Sequence, residues 1–284
     1  MVKSMKDFLA DLPIIGDFMT QRPKVAVVRL SGVIADTSMR KNGVSHAKYA
    51  QLIEDAFDVQ DVREVAVVIN SPGGAPAQSS LIAGVIRQCA NEKKVPVTAF
   101  VEDVAASGGY WLACAADKIY VQPSSLVGSI GVIAAGFGFE DFIKEHGVKR
   151  RVYTSGKDKS MMDPFLPEKK SDVERVKQLQ SDIHAQFIAW VKDRRGARLK
   201  GADADLFEGQ VWTGNMALPM GIADAVGDLR GVMHEKYGPK VRLMEFEPER
   251  SFVQGLMGVK TAQNLGDEVI SAVENRLEWQ RFGL

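Results

Sequence analysis

The segment VAASGGYW, residues 104–111, follows an apolar strand pattern at residues 95–101 and opens an apolar helical pattern at residues 110–116. Ser107 therefore lies at the start of a helix, with only alanine and glycine as close neighbours. The amide of Gly108 is one of the unpaired donors of the first helical turn, which can hold negative charge. A serine beside such amides is typical of a nucleophile next to half of an oxyanion hole. A serine that only caps the helix would have the same local sequence, so the role of Ser107 must be decided from other parts of the chain.

The composition is that of a globular chain large enough for one substantial domain. Of its 284 residues, 45% are hydrophobic and 25% are charged. Lys+Arg and Asp+Glu both total 36, so the basic excess that nucleic-acid binding usually needs is missing. Cys89 and Cys114 lie in apolar helical patterns and are predicted to be free thiols. The four histidines lack metal-ligand spacing, so neither a metal site nor a cofactor is predicted.

No membrane-spanning helix or signal peptide is predicted. The longest uncharged run, residues 119–139, contains one proline, three serines and four glycines, which suits strands and turns. Residues 1–22 form a predicted amphipathic extension that Pro13 and three aspartates interrupt, which is too acidic for a signal peptide. We therefore expect a protein that is cytoplasmic or peripheral on the cytoplasmic membrane, with possible membrane contact through this extension.

Strand and helix patterns alternate over residues 23–246, which predicts an α/β domain with a mostly parallel sheet covered by helices. Residues 247–284 are predicted to form a C-terminal tail and helix. The strand patterns lie at residues 24–30, 64–70, 95–101, 118–121, 151–154 and 241–246, with a further extended stretch at 127–135. The helical patterns lie at residues 48–57, 77–92, 110–116, 139–146 and 168–195.

A second small-residue turn, SPGG at residues 71–74, follows the strand pattern at residues 64–70. In parallel sheets the functional groups gather where strands end and helices begin. If the two strands are neighbours, the amides of Gly74 and Gly108 converge on one carbonyl oxygen near Ser107. This pair of turns is more specific than either turn alone and favours a nucleophile over a simple helix cap.

Ser107 then needs a general base. None of the histidines lies in a glycine-rich or strand-end context, and the other base known for serine is lysine. Such a lysine must be neutral, which burial favours. The loop SGKDKSMMDP, residues 155–164, offers two candidates. Lys159 precedes apolar residues and a proline, where it could be buried, and Lys157 is the exposed alternative. The residues alone leave the choice between them open.

Six short motifs keep one order through most of the chain. They are NSPGG (70–74), ASGGYW (106–111), AADKIY (115–120), VGSIGVI (127–133), SGKDKSMMDPF (155–165) and VWTGNMALPMGIADAVG (211–227). In this order they resemble the signal peptide peptidase A-type Ser/Lys proteases, which have the Clp-protease/crotonase fold.

The resemblance implies a role for five residues. Ser107 matches the nucleophile, Lys159 the general base and Ser129 a serine that hydrogen-bonds the lysine, whereas Gly74 and Gly108 match the oxyanion amides. It implies a serine endopeptidase that cleaves extended apolar peptides, such as remnant signal peptides or unfolded protein segments. It also implies a homo-oligomer, for which the apolar face of residues 168–195 and the termini are candidate contacts.

An extended substrate is expected to add a strand beside residues 75–77 and 131–133, which makes Ala75, Gly131 and Ile133 predicted substrate-binding residues. Two alternatives use the same fold. A crotonase-type acyl-CoA enzyme would need a carboxylate for proton transfer, and neither glycine-rich turn contains one. An inactive scaffold would have no need for the serine and lysine set described above.

Overall fold

The computed structural model describes residues 22–36, 43–156, 158–248, 276 and 279–283. Within these ranges eight strands form one sheet. The strands are β1 (Lys24–Ser31), β2 (Val62–Ser71), β3 (Val97–Ala106), β4 (Lys118–Val121), β5 (Leu126–Gly128), β6 (Val211–Thr213), β7 (Ala225–Val226) and β8 (Arg242–Phe246). The helices are α1 (His46–Phe57), α2 (Pro76–Lys93), α3 (Gly108–Ala113), α4 (Glu140–Glu145), α5 (Lys170–Arg195), α6 (Asp203–Leu206), α7 (Gly214–Ala217) and α8 (Leu229–Tyr237), with a 3-10 turn at Gly196–Arg198.

The sheet is mostly parallel, which confirms the predicted fold class. Its strand order is β6-β5-β3-β2-β1-β8, and only the β5–β6 pair is antiparallel. β4 pairs with the first half of β3 at residues 98–100, whereas β5 pairs with the second half at residues 104–106. β3 therefore pairs with two different strands along one edge, and its last residues lie next to β5.

The central strands are buried on both faces, which explains their continuous runs of valine and alanine. One face packs against α1, α2, α3 and the C-terminal half of α5 in the larger core cluster. The other face, around Val27, Val68 and Phe100, packs against Met233 of α8. Buried Glu64 of β2 accepts hydrogen bonds from Lys236 Nζ at 2.7 Å and from the Tyr237 hydroxyl at 2.8 Å, so it joins α8 to the sheet.

The structure differs from the sequence predictions mainly between residues 131 and 169, a segment we call the arm. The described residues of the arm contain α4 and no strand, so the strand predicted at residues 151–154 is wrong, and Tyr153 is 91% exposed. The extended stretch predicted at residues 127–135 forms a strand only through Gly128. β3 runs to Ala106, five residues beyond its predicted end. α8 was not predicted because only Met233 of this helix is buried.

No helix in the described part of the chain combines the length and the apolar character needed to cross a membrane. The predicted N-terminal extension and most of the predicted C-terminal tail lie outside the described residues.

The C-terminal end of α5 is fixed by a buried ion pair. Arg195, whose side chain is 1% exposed, donates to Asp224 at 2.7 and 2.9 Å and to the carbonyl of Gly221 at 2.7 and 2.9 Å. Burial by itself would raise the pKa of Asp224. The hydrogen bonds and charge of Arg195, the amide of Ile119 and the charge of Arg198 outweigh that effect, so the pKa of Asp224 lies below its ordinary value.

We expect Asp224→Asn to lower the free energy of unfolding at pH 7 by about 3 kcal/mol, because it leaves the Arg195 charge buried without its partner. Urea denaturation measures this change. Because the folded-state pKa of Asp224 is depressed, its stabilisation is present above its unfolded pKa and is lost as the pH falls through the folded pKa. The wild-type protein and the variant should therefore converge in stability in acid.

The matched control is Asp203→Asn, which breaks the exposed Lys192–Asp203 pair, in which the aspartate side chain is 68% exposed. It should cost less than about 1 kcal/mol. Equal effects of the two substitutions would contradict the structural role assigned to the Arg195–Asp224 pair.

Candidate active site

Ser107 lies at the junction where β3 ends and α3 begins. Its backbone has φ +51° and ψ −121°, which is a strained conformation for a residue with a side chain. Its N–H donates to Gly128 O at 2.8 Å, and its carbonyl accepts from Trp111 N at 3.0 Å. Ser107 is half-buried, whereas Gly108 and Gly109 after it are buried. The chain thus presents the Ser107 side chain at a sharp turn that is hydrogen-bonded on both sides.

The SPGG turn packs directly against this junction, because β2 and β3 are neighbours in the sheet. A Cβ added to Gly73 would lie 2.8 Å from Ser107 Cβ and 2.9 Å from Gly108 N. A Cβ added to Gly109 would lie 2.5 Å from Ser71 O. Only glycine allows the two turns to approach so closely.

The amides of Gly74 and Gly108 are both free to bind a substrate oxygen. Within the described ranges, neither N–H donates a hydrogen bond. A Cβ on Gly108 would lie 3.4 Å from Gly74 N, so the two residues are adjacent. The other side of the SPGG turn is occupied by Ile34, whose N–H donates to Gly73 O and whose carbonyl accepts from Ala75 N, both at 2.8 Å. Two unpaired amides beside a serine can stabilise an oxyanion.

Ser129 lies one residue after the carbonyl that accepts from Ser107. It is half-buried, has φ +52°, and donates its N–H to Gln210 O at 2.6 Å. The structure therefore brings Ser107, Gly74, Gly108 and Ser129 to the same end of the sheet. Two residues that were not predicted from the sequence brace this end of the sheet: Ile34, and His184, whose Nε2 lies 3.1 Å from Ile130 O.

No contact among the described residues brings Lys159 to Ser107. It lies in a turn of the arm, and its amide donates to Gly156 O at 3.4 Å. The residue is exposed, and its side chain has no hydrogen bond or ion pair with any residue that the structure describes. The expected burial of Lys159 is thus wrong for the isolated chain, because the arm around it has no core of its own. Lys157 lies outside the described residues.

The predicted substrate-binding residues fall into two groups. Ala75 already donates its N–H to Ile34 O, and helix α2 begins at Pro76, so residues 75–77 offer no edge for an added strand. Ile34 occupies the place that an added strand would take there, so a part for Ala75 in substrate binding stays a prediction. Gly131 and Ile133 follow β5 in irregular chain and have no backbone hydrogen bond to another described residue. An extended peptide can pair with this second stretch.

No group of three or more His, Cys, Asp or Glu residues that could hold a metal ion occurs among the described residues.

A family model and a protease relative point to the same family of proteins. The model of peptidase family S49 matches residues 89–238. A protein of Brucella abortus named Na(+)/H(+) antiporter NhaA is 45% identical over 284 residues, which are 94% of this chain and 38% of that protein. The chloroplastic serine protease SPPA of Arabidopsis thaliana is 31% identical over 287 residues, which are 92% of this chain and 42% of that protein. The chain thus spans less than half the length of these relatives.

One solved structure, a mutant of the 1510-N membrane-bound stomatin-specific protease in complex with a substrate peptide, has a TM-score of 0.50 and 17% identity. The match covers 84% of this chain and 97% of that chain. At this identity the likeness supports the fold alone. Since the match to the antiporter-named protein covers 38% of that protein, its name carries no ion-transport function to this chain.

We expect Gly74→Ala to lower the free energy of unfolding by at least about 2 kcal/mol, because Gly74 has φ +143° and an added Cβ would lie 2.0 Å from Ile34 O. The control is Gly84→Ala in α2, where an added Cβ meets nothing within 4 Å. That change should leave stability within about 1 kcal/mol of wild type, on the stabilising side. Urea denaturation of both variants measures the difference, and a tolerated Gly74→Ala would contradict the close packing of the two turns.

Proposed function

The chain belongs to peptidase family S49, whose model covers more than half of its residues, and on that basis we propose that it is a serine endopeptidase with a Ser107/Lys159 dyad. The observation that carries this proposal is the pair of unpaired amides, Gly74 and Gly108, beside the strained Ser107. A scaffold has no need for such an arrangement, because two free donors and a strained serine stabilise nothing in the resting fold.

The proposed reaction is acyl transfer in two steps. Neutral Lys159 takes the proton of Ser107 Oγ as the oxygen attacks the peptide carbonyl, and the amides of Gly74 and Gly108 donate hydrogen bonds to the oxyanion that forms. The C–N bond then breaks, and the leaving amine takes the proton from Lys159. In the second step water, deprotonated by Lys159, attacks the ester carbonyl; the C–O bond to Ser107 then breaks, Lys159 returns the proton to Ser107 Oγ, and the acid is released. In this proposal Ser129 orients the lysine amine.

The proposed substrates are extended apolar peptides, such as remnant signal peptides or unfolded protein segments. The backbone of residues 131–133 has no hydrogen bond to another described residue, which supports pairing with an extended chain. Within this stretch Ile133 is 66% exposed. Recognition through the peptide backbone explains how one site accepts many sequences.

We further propose that the protein is a homo-oligomer in which the arm supplies the contact surface. Phe137, Phe142 and Tyr153 are 81%, 59% and 91% exposed, and such a concentration of exposed aromatic side chains marks an interaction surface. The first half of α5 adds Leu179, which is 44% exposed, whereas the buried apolar residues Phe187 and Val191 lie in the second half. Assembly would bury the arm and bring Lys159 to a Ser107 side chain, on its own or a neighbouring subunit.

For location, we propose the cytoplasmic side of the membrane. Both cysteines are free thiols, which fits a reducing compartment. Burial raises the pKa of the Cys114 thiol to about 12, so this thiol stays protonated. Cell fractionation tests the location. Recovery as an integral membrane protein that resists carbonate washing would contradict it.

We expect Ser107→Ala and Lys159→Ala each to remove nearly all peptide hydrolysis, because the two residues act as a unit. Ser129→Ala should weaken turnover less, and Lys157→Ala should change it little. The measurement is the rate of cleavage of an unstructured peptide library, followed by mass spectrometry. If Lys159→Ala keeps full activity while Ser107→Ala is inactive, the base is assigned wrongly.

We expect the wild-type protein to sediment as an oligomer, and the double substitution Phe137→Ser with Phe142→Ser to shift it toward monomer with loss of activity. Leu81→Ser in α2 is a matched control, because Leu81 is 49% exposed and lies outside the arm. Sedimentation velocity over a range of concentrations measures the assembly. A stable and fully active wild-type monomer would refute the proposed assembly.

Mixing Ser107→Ala with Lys159→Ala protein tests whether a neighbour supplies the lysine. If it does, mixed oligomers regain part of the wild-type activity. No recovery, in mixtures whose subunits are shown to exchange, would place both dyad residues in one subunit.

A further inference from the structure

Helix α3, which follows Ser107, is too short to satisfy its own carbonyl groups. It has six residues, and its last turn tightens, with Ala115 N donating to Leu112 O at 3.0 Å and Ala116 N donating to Ala113 O at 3.1 Å. The carbonyl of Trp111 therefore receives no hydrogen bond from the amide of Ala115, its usual helical partner four residues later. This region is buried, and a buried carbonyl without a partner is costly. The carbonyl end of α3 must be satisfied from outside.

Helix α5 supplies the missing donors. Trp190 Nε1 donates to Trp111 O at 3.0 Å, and Arg194 Nε donates to Cys114 O at 3.0 Å. The Trp111 ring also stacks on Phe187, with centroids 4.8 Å apart, and on Trp190 at 6.4 Å. Trp190 thus contacts both the backbone carbonyl and the ring of Trp111.

The backbone of Trp111 links this contact to the proposed nucleophile. Its N–H donates to Ser107 O at 3.0 Å, and its carbonyl accepts from Trp190. Ser107 has φ +51°, a conformation that persists only where the surroundings hold it. Two hydrogen bonds in series therefore connect the Trp190 indole to the turn that aims Ser107 Oγ and Gly108 N–H.

We propose that Trp190 is a positioning residue for this site: its indole N–H fixes the first turn of α3 and thereby the direction of the Ser107 hydroxyl and the Gly108 amide. This inference rests on the proposed function, since it assigns Trp190 a part in the same acyl transfer. Trp190 bonds to the carbonyl end of α3 and not to the Ser107 side chain, so its loss should affect the chemical step more than the binding of substrate.

The test is Trp190→Phe, which removes the N–H and keeps an aromatic ring for stacking. We expect kcat to fall about tenfold while KM stays within about twofold of wild type. The rate of Ser107 acylation by a small activated ester should fall by a similar factor, because that ester has little binding of its own to lose. The control is Tyr237→Phe, which likewise removes one aromatic hydrogen-bond donor, here the hydroxyl that donates to Glu64 between α8 and the sheet, and it should leave kcat unchanged.

A second variant separates positioning from packing. Benzothienylalanine incorporated at position 190 has nearly the shape of tryptophan, with sulfur in place of the N–H. If the hydrogen bond positions the nucleophile, this variant shows the same fall in kcat as Trp190→Phe, with a urea midpoint near that of wild type.

Two results would overturn the proposal. One is a kcat for Trp190→Phe equal to that of the control Tyr237→Phe. The other is wild-type kcat for the benzothienylalanine variant with reduced kcat for Trp190→Phe, which would show that only ring packing matters. Ser107→Ala keeps the outcomes distinguishable. If that variant is inactive and Trp190→Phe is fully active, only the positioning role fails; if Ser107→Ala is active, the proposed function itself fails.

Discussion

The close approach of two backbone turns, residues 73–74 and 107–108, is the constraint on which the site depends. Both turns follow parallel strands that are neighbours, so the sheet fixes their distance. Glycine is required on both sides because any side chain would separate them. The strain at Ser107 is sustained by this contact together with hydrogen bonds from the adjoining strand and helix. The fold thus holds two amide donors and a serine in place before any substrate arrives, which is the condition for electrostatic preorganisation.

The two residues of the proposed dyad lie in different kinds of structure, the buried sheet and the exposed arm. Ser107 lies on the sheet, where its neighbours are buried, whereas Lys159 lies on the arm, which has one short helix and many exposed aromatic side chains. Rigid elements hold a site more accurately than loops do. In the proposed mechanism a base on the arm would act only when the arm itself is covered, and activity would then depend on whatever buries the arm. In this scheme an isolated chain would carry a complete oxyanion site and an incomplete dyad.

The parts of this structure that could be predicted from sequence are those decided by local pattern and sheet topology. The convergence of Gly74 and Gly108 on Ser107 follows from two small-residue turns after consecutive strands, since consecutive parallel strands are usually adjacent. The position of Lys159 could not be predicted, because the described part of the arm has no buried residue and touches α5 only through contacts such as Met162 N–H to Asp172 at 3.4 Å, which leave no sequence pattern. The bracing by Ile34 was not predicted because isolated bridges, here to Val44 and Gly74, leave no periodic pattern. The link from Trp190 to Trp111 was missed for another reason: the sequence does not show that α3 stops after six residues and needs an external donor.

The pairing of the first strand with the last has a consequence for how this chain is made. β1 lies between β2 and β8, with Lys24 opposite Arg242 and Val28 opposite Phe246. During synthesis the N-terminal strand therefore keeps one edge of unpaired backbone groups until nearly all of the domain has left the ribosome. Such an edge, rich in valine, is a template for pairing with other chains. A nascent chain that stalls before β8 would therefore expose this edge of β1 at a stage when its proposed catalytic turns have already been synthesised.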